Sequence, residues 1–357
     1  WVQRTKPAAV TQSTKKPQRT RKRKASPRRT KSKVSPAPKS VTTTQDIGEP
    51  AKLPNTTLGP IMADPSGDDA AYIAFDQGQY LTALRLARAA AKRNQPQALT
   101  LLGRLYEAGL GVPLDLLKAA QYYRRGAELG DVEATFSIAL MLAAGRGTKK
   151  NVEEAAGLFE RAARTGHPEA NYNLGLLFVT GAGKPQNPRR ALMHIEYAAK
   201  KGLAAAQYDL AALYRVGHGG KPDAYKATMW LRSAAKSGMA AAQFEYAVSL
   251  LQGQGFNRDK PDIVDFLIDA ARQGVAGAQN RLAHIYAEGR LVRQNMTEAA
   301  KWRLISKASG RKSVDFDQAL DKQIAAMPRA DRRRAQDAAN QFIDGARVGD
   351  TVAAAPR

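Results

Sequence analysis

The sequence predicts an all-α fold, a right-handed superhelical solenoid of stacked helix pairs. Three observations carry this expectation. Glycine, or once asparagine, recurs every thirty-six residues; alanine follows four residues later each time; and large side chains return at helical spacing within every unit. A single helix pair cannot bury both of its faces, so such units must stack on one another.

The units open at Asn94, Gly130, Gly166, Gly202, Gly238 and Gly274, and Gly310 closes the last. Glycine suits the left-handed residue just past a helix end, and asparagine is its usual substitute. Ala98, Ala134, Ala170, Ala206, Ala242 and Ala278 come next, small enough for helices to approach closely. Leu102 with Tyr106, Leu174 with Phe178, Leu210 with Tyr214 and Leu282 with Tyr286 are spaced i, i+4, which puts each pair on one helical face. Glycine returns at Gly109, Gly145, Gly181, Gly217, Gly253 and Gly289, and five units add another two residues later, at Gly111, Gly147, Gly183, Gly219 and Gly255. This predicts a helix stop and a tight turn. Asp115, Asn151, Asn187, Asp223, Asp259 and Asn295 then predict the N-cap of a second helix, with Pro188 at a first helical position. The apolar positions of that helix are Ala119, Tyr122 and Tyr123 in the first unit, and Ala155, Leu158 and Phe159 in the second.

The resulting organisation is a basic Pro/Ser/Thr-rich segment over 1–62, expected to be disordered, and a solenoid over 68–310. The solenoid comprises a divergent helix pair at 68–93 and six units over 94–309. Capping helices are expected over 311–346 and a disordered tail over 347–357. The capping stripes are Phe316, Ala319, Leu320 and Ile324, then Ala335, Ala338, Ala339, Phe342 and Ile343.

The segment G-H-P-E-A-N-Y-N-L-G-L-L-F from Gly166, followed by Gly181-Ala182-Gly183 and Asn187, resembles the Sel1-like repeat, a relative of the tetratricopeptide repeat. So does A-T-M-W-L-R-S-A-A from Ala227, and the resemblance covers about Pro96 to Ser309. Leu291 in place of the second turn glycine, and Val248 and Ser249 in the fifth unit, depart from the pattern. The resemblance implies a superhelix with concave and convex faces and a protein-binding scaffold. Its layout is similar to periplasmic regulators of sensor kinases and to localisation factors in bacteria.

Superposition on a tetratricopeptide repeat would place the sixth residue after each register glycine on the concave face. That position holds Phe136, Tyr172, Tyr208 and Phe244, flanked by Thr100 and Asn280. Aromatics there suit a peptide groove, and they equally suit packing between adjacent first helices. Arg104, Leu140, Leu176, Arg215 and Leu251 are neighbours on the same face. Asn173 occupies the place where some tetratricopeptide domains clamp a carboxylate, but Asp209 and Glu245 follow it in the next units. The exposed aromatics also fit a homodimer seam.

Charge is concentrated at the front. Of a formal net charge of +24, fourteen Lys and Arg without any Asp or Glu fall in the first 45 residues. The cluster Arg21, Lys22, Arg23 and Lys24, with Arg28 and Arg29, is a candidate polyanion site for anionic membrane or cell-wall polymer. Nucleic acid fits less well, because after Trp1 this segment has no aromatic on which a base could stack.

Catalytic motifs are absent: there is no H-E-x-x-H, no G-x-S-x-G and no G-x-x-x-x-G-K followed by Ser or Thr. S-x-x-K occurs at Ser13, Ser233 and Ser309, each time without its companion motifs. His167, His194, His218 and His284 fall at four different repeat positions, and there is no cysteine. The expectation is therefore a non-enzymatic chain with no cofactor and no metal. Two other readings stay open: a hydrolase or binding protein acting on cell-wall material, and polyanion binding through the basic segment. The first residue is Trp1, so a segment is expected to be missing before it: a secretory signal, a membrane anchor, or a stretch trimmed when the chain was prepared. That favours an exported, periplasmic setting over a cytoplasmic one.

Overall fold

The computed structural model describes residues 69–254, 256, 262–310 and the backbone of 315–354, with side chains there from 317 to 345. Asp259, Gly255, Phe316, residues 1–62 and the candidate basic cluster lie outside the described residues or side chains. Among the described residues there are sixteen helices and no strand.

A short pair, α1 (Ala70–Asp76) and α2 (Tyr80–Lys92), precedes six hairpins: α3 (Pro96–Ala108) with α4 (Leu116–Glu128), α5 (Val132–Ala144) with α6 (Val152–Arg164), α7 (Pro168–Thr180) with α8 (Pro188–Lys200), α9 (Ala204–Val216) with α10 (Ala224–Lys236), α11 (Ala240–Leu251) with α12 (Ile263–Arg272), and α13 (Ala276–Glu288) with α14 (Met296–Ala308). Each helix packs on the next, while first helices also touch directly, α1 with α3 and α3 with α5. The first helices thus line one face, here termed the inner face.

The periodic residues do what their chemistry predicts. Every register glycine has positive φ, and Asn94 adopts the same left-handed conformation at φ 58°. Asp115, Asn151, Asn187, Asp223 and Asn295 each accept the backbone N–H three residues on. Their own N–H groups reach back to Tyr106, Leu142, Phe178, Tyr214 and Tyr286, closing the turn at 2.8–3.0 Å. The register alanines are buried, and Leu102, Leu174, Leu210 and Leu282 fill the core beneath them. Buried amides satisfy last-turn carbonyls that a helix cannot bond internally: Asn171 donates to Ala163, Gln207 to Ala199 and Gln279 to Ala271, at 3.1–3.2 Å.

The second turn glycine has a role beyond its φ. A methyl group on Gly147 would stand 2.1 Å from the carbonyl oxygen of Leu116, the first residue of the preceding unit's second helix. At Gly183 and Gly219 the equivalent distances, to Val152 and Pro188, are 2.4 and 2.5 Å. Turn backbone rests directly on helix backbone, and only glycine leaves the space.

In the fifth unit α12 begins at Ile263 after Asp262, whose side chain makes no cap; the N-cap expected at Asp259 falls outside the described residues. Two expectations need correction. The array ends in α15 (Asp315–Ala325) and α16 (Arg329–Ala354), so helix continues where a disordered tail from 347 was expected. No proline intervenes before Pro356, and Ala353 and Ala354 favour helix. Finally, Ala319 is exposed, and Asp317 takes the buried place on α15 beside Leu320. The α16 stripe is as expected: Ala335 and Ala339 are buried, and Phe342 meets Trp302 of α14 edge to face at 5.5 Å.

Gly147→Ala should therefore destabilise the array by about 3 kcal/mol, combining left-handed strain with the clash. Gly274→Ala, with φ 89° and open space around it, should cost only about 1 kcal/mol. Urea unfolding of both variants checks this, and equal losses would refute the backbone-contact account.

Candidate functional site

Position six of each unit lies between adjacent first helices. Phe136, Tyr172, Tyr208 and Phe244 are all half-buried. The Tyr172 hydroxyl donates to Asp209 Oδ2 at 2.8 Å, and the Tyr208 hydroxyl donates to Glu245. Both contacts run from position six to position seven of the next unit. At the flanks, Thr100 donates to Asp131 at 2.8 Å and Asn280 to Asp317 at 2.9 Å. The two phenylalanines seal their junctions by shape instead. Phe136 stacks at a tilt on His167 of the next unit, 4.5 Å between ring centres, and Phe244 lies so close over Gly277 that a methyl there would be 2.7 Å from its ring.

Charge extends this row. Arg104 donates to Glu133 across the first junction at 3.1 Å. His167 accepts the Ala170 N–H at Nδ1, which leaves its other nitrogen to donate to Glu133 at 3.3 Å. Hydrogen bonding from His167 holds the Glu133 carboxyl below its usual range, burial opposes, and Arg104 adds to the lowering. Arg215, largely exposed, lies 3.6 Å from Glu245. Asn173 spends its amide on the Glu169 carbonyl at 2.8 Å. Burial pushes the Asp209 carboxyl up, and the Tyr172 hydrogen bond recovers part of that shift. Both tyrosine hydroxyls are pushed well up, by burial first and then by their carboxylate partners.

The structure thus brings Tyr172 to Asp209, and Tyr208 with Arg215 to Glu245. It leaves Asn173 apart from any clamp. The acidic partners are what sequence reasoning missed as functional groups: Asp209 and Glu245 counted against a clamp, although a spacing of thirty-seven residues from each tyrosine was there to be read. Among the described residues, no group of three or more His, Asp or Glu is placed to hold a metal, and no helix is long and apolar enough to cross a membrane.

Comparison with protein families matches the Sel1 repeat over residues 96–131, 132–167, 168–203, 204–239, 240–263 and 276–302. Among solved structures, a Sel1 repeat protein from Oxalobacter formigenes is 28% identical, with a TM-score of 0.61 over 68% of this chain and 99% of that one. A protective antigen of uropathogenic Escherichia coli with an SLR fold is 25% identical, with a TM-score of 0.50 over 78% of this chain and 68% of that one. Comparison with curated protein sequences gave no match.

The direction of the Asp209 shift sets a pH dependence. A carboxyl whose folded pKa lies above its free value is ionised at a cost in the folded chain, so its contribution worsens as pH rises through that pKa. The thermal midpoint of Asp209→Asn should therefore gain on the wild type between about pH 4 and pH 7. A constant difference across that range would show that Asp209 is not buried as described.

Proposed function

Because the chain belongs to the Sel1 repeat family, whose members are generally protein-interaction scaffolds, we propose that it is a non-enzymatic adaptor that holds a peptide segment of a partner protein along the inner face, over units two to five. The observation that carries this reading is the pair of tyrosine–carboxylate ties. Each fixes a partly exposed aromatic ring at the same place in successive units.

Rings held this way offer contact area without further loss of rotamer freedom on binding, which is what makes tyrosine effective at recognition surfaces. Glu245 and the exposed guanidinium of Arg215 stand beside them to orient a peptide backbone or a charged side chain. The setting belongs to the same proposal: a bacterium, as for both similar structures, and an exported, periplasmic role in signalling or localisation.

Crosslinked capture from the native cell tests it, comparing the wild type with Tyr172→Ala/Tyr208→Ala and with Tyr172→Phe/Tyr208→Phe, all first shown to be helical and to melt cooperatively. A partner taken up by the wild type should be lost from the alanine variant by about thirtyfold or more, the scale of one recognition hot spot. The phenylalanine variant, which keeps the rings but loses the ties that fix them, should fall between the two. Undiminished capture by the alanine variant would remove the inner face as the binding site.

A further inference from the structure

Position twenty-nine of the unit is the buried centre of the second helix. It holds Tyr123, Phe159, Ile195, Leu231 and Leu267 in five units, and Arg303, only 1% exposed, in the sixth. Two more positions change in the same unit: position six is Asn280 and position ten is buried His284, where earlier units carry Arg104, Leu140, Leu176, Ala212 and Val248.

The three new polar groups converge on Asp317 of α15, which is 0% exposed. Asn280 Nδ2 donates to Oδ1 at 2.9 Å, His284 Nε2 lies 3.0 Å from the same oxygen, and Arg303 Nη1 is 3.4 Å from Oδ2. Arg303 also donates from Nη1 to Asn280 Oδ1 at 3.0 Å, which orients the amide. Its other two nitrogens, Nε and Nη2, fork the carboxylate of Asp321 at 2.9 and 3.1 Å, and Lys307 approaches at 2.9 Å. One guanidinium therefore reads two carboxylates spaced one helical turn apart.

Such a site is poor glue. Burying charges gains little over well-packed apolar groups of the same size, but it discriminates sharply against anything that cannot supply the opposite charge. Among its described side chains, α15 adds to this polar clamp only buried Leu320 and half-buried Ile324. Besides α15, α16 also packs on α14, through Ala339 and Phe342.

We propose that the sixth unit is a receptor for an acidic helix carrying two carboxylates four residues apart, that α15 is its exchangeable internal ligand, and that an acidic helical segment of a partner protein takes its place. The site lies at the end of the array and stands independently of the tyrosine pairs.

The test uses the full chain with Asp317→Asn/Asp321→Asn and a fluorescent peptide of residues 311–327. The variant should bind the peptide saturably and at least about tenfold more tightly than the wild type, whose own α15 competes. Adding Arg303→Leu to the variant should abolish binding. A folded variant that ignores the peptide overturns the proposal. Hydrogen exchange on the wild type gives a second readout that needs no substitution: α15 amides should exchange together, about tenfold or more ahead of α14 and α16, and exchange in step with them would overturn it. A concentration-dependent dimer of the wild type that dissolves in the Asp317→Asn/Asp321→Asn variant would also overturn it, since a second copy would then be the occupant.

Discussion

The array depends on one recurring backbone contact, the turn of a unit resting on the first residue of the preceding unit's second helix. At Gly147 on Leu116 the approach leaves no space for a methyl group, and Gly183 and Gly219 repeat it. A contact between main chains, unlike one between side chains, cannot be retuned by rotamers. It therefore fixes the distance between units and makes a strict thirty-six-residue period necessary. The last unit supports the same logic by exception: it carries Leu291 at this turn, half-exposed and without positive φ, and the helix it would rest on is the displaced α12.

A second row of contacts works from the inner face. The step from position six to position seven of the next unit is one period plus one residue, which is the offset needed to reach across to the neighbouring first helix. Tyr172, Tyr208 and Asn280 use it to reach a carboxylate; Thr100 reaches Asp131 at the start of the next unit instead, and Phe136 and Phe244 use ring packing. With the turn contact on one edge and this tie on the inner face, each unit is held at two separated places. Such two-point attachment constrains the angle between units as well as their spacing. Under the proposed function, the residues offered to a peptide are the ones that hold the scaffold together, so binding and stacking would share the same side chains.

The helix pairs were legible in the sequence because their signals are local. A glycine that needs positive φ, an asparagine that caps, and a leucine at i+4 act on residues within a turn or two, and the thirty-six-residue repetition multiplies each signal sixfold. The fifth unit was less legible, since its second helix starts at Ile263 without the side-chain cap that marks the other units. The site was half legible. Position six stood out by its aromatics, but the role of Asp209 and Glu245 depended on which carboxylate a hydroxyl reaches in the next unit, and a lone acidic residue in a helix has no local signature. Ala319 misled for a related reason: hydrophobic periodicity assigns the buried face to alanine, and here it belongs to a carboxylate met by the Arg303 charge of α14 and by polar side chains of α13.

That carboxylate bears on how a repeat array stops. A solenoid end exposes the same apolar face that stacked the previous unit and would template another. Position twenty-nine shows how this chain avoids that outcome. With leucine, the core would continue into a seventh ordinary unit; with Arg303, any unit lacking two correctly spaced acids would leave a buried guanidinium unsatisfied, at a cost of several kcal/mol. The polar rewriting of Asn280, His284 and Arg303 is thus selective twice over. It rejects an ordinary repeat as a neighbour and accepts an acidic helix, so the group that terminates the fold also defines which helix can bind there.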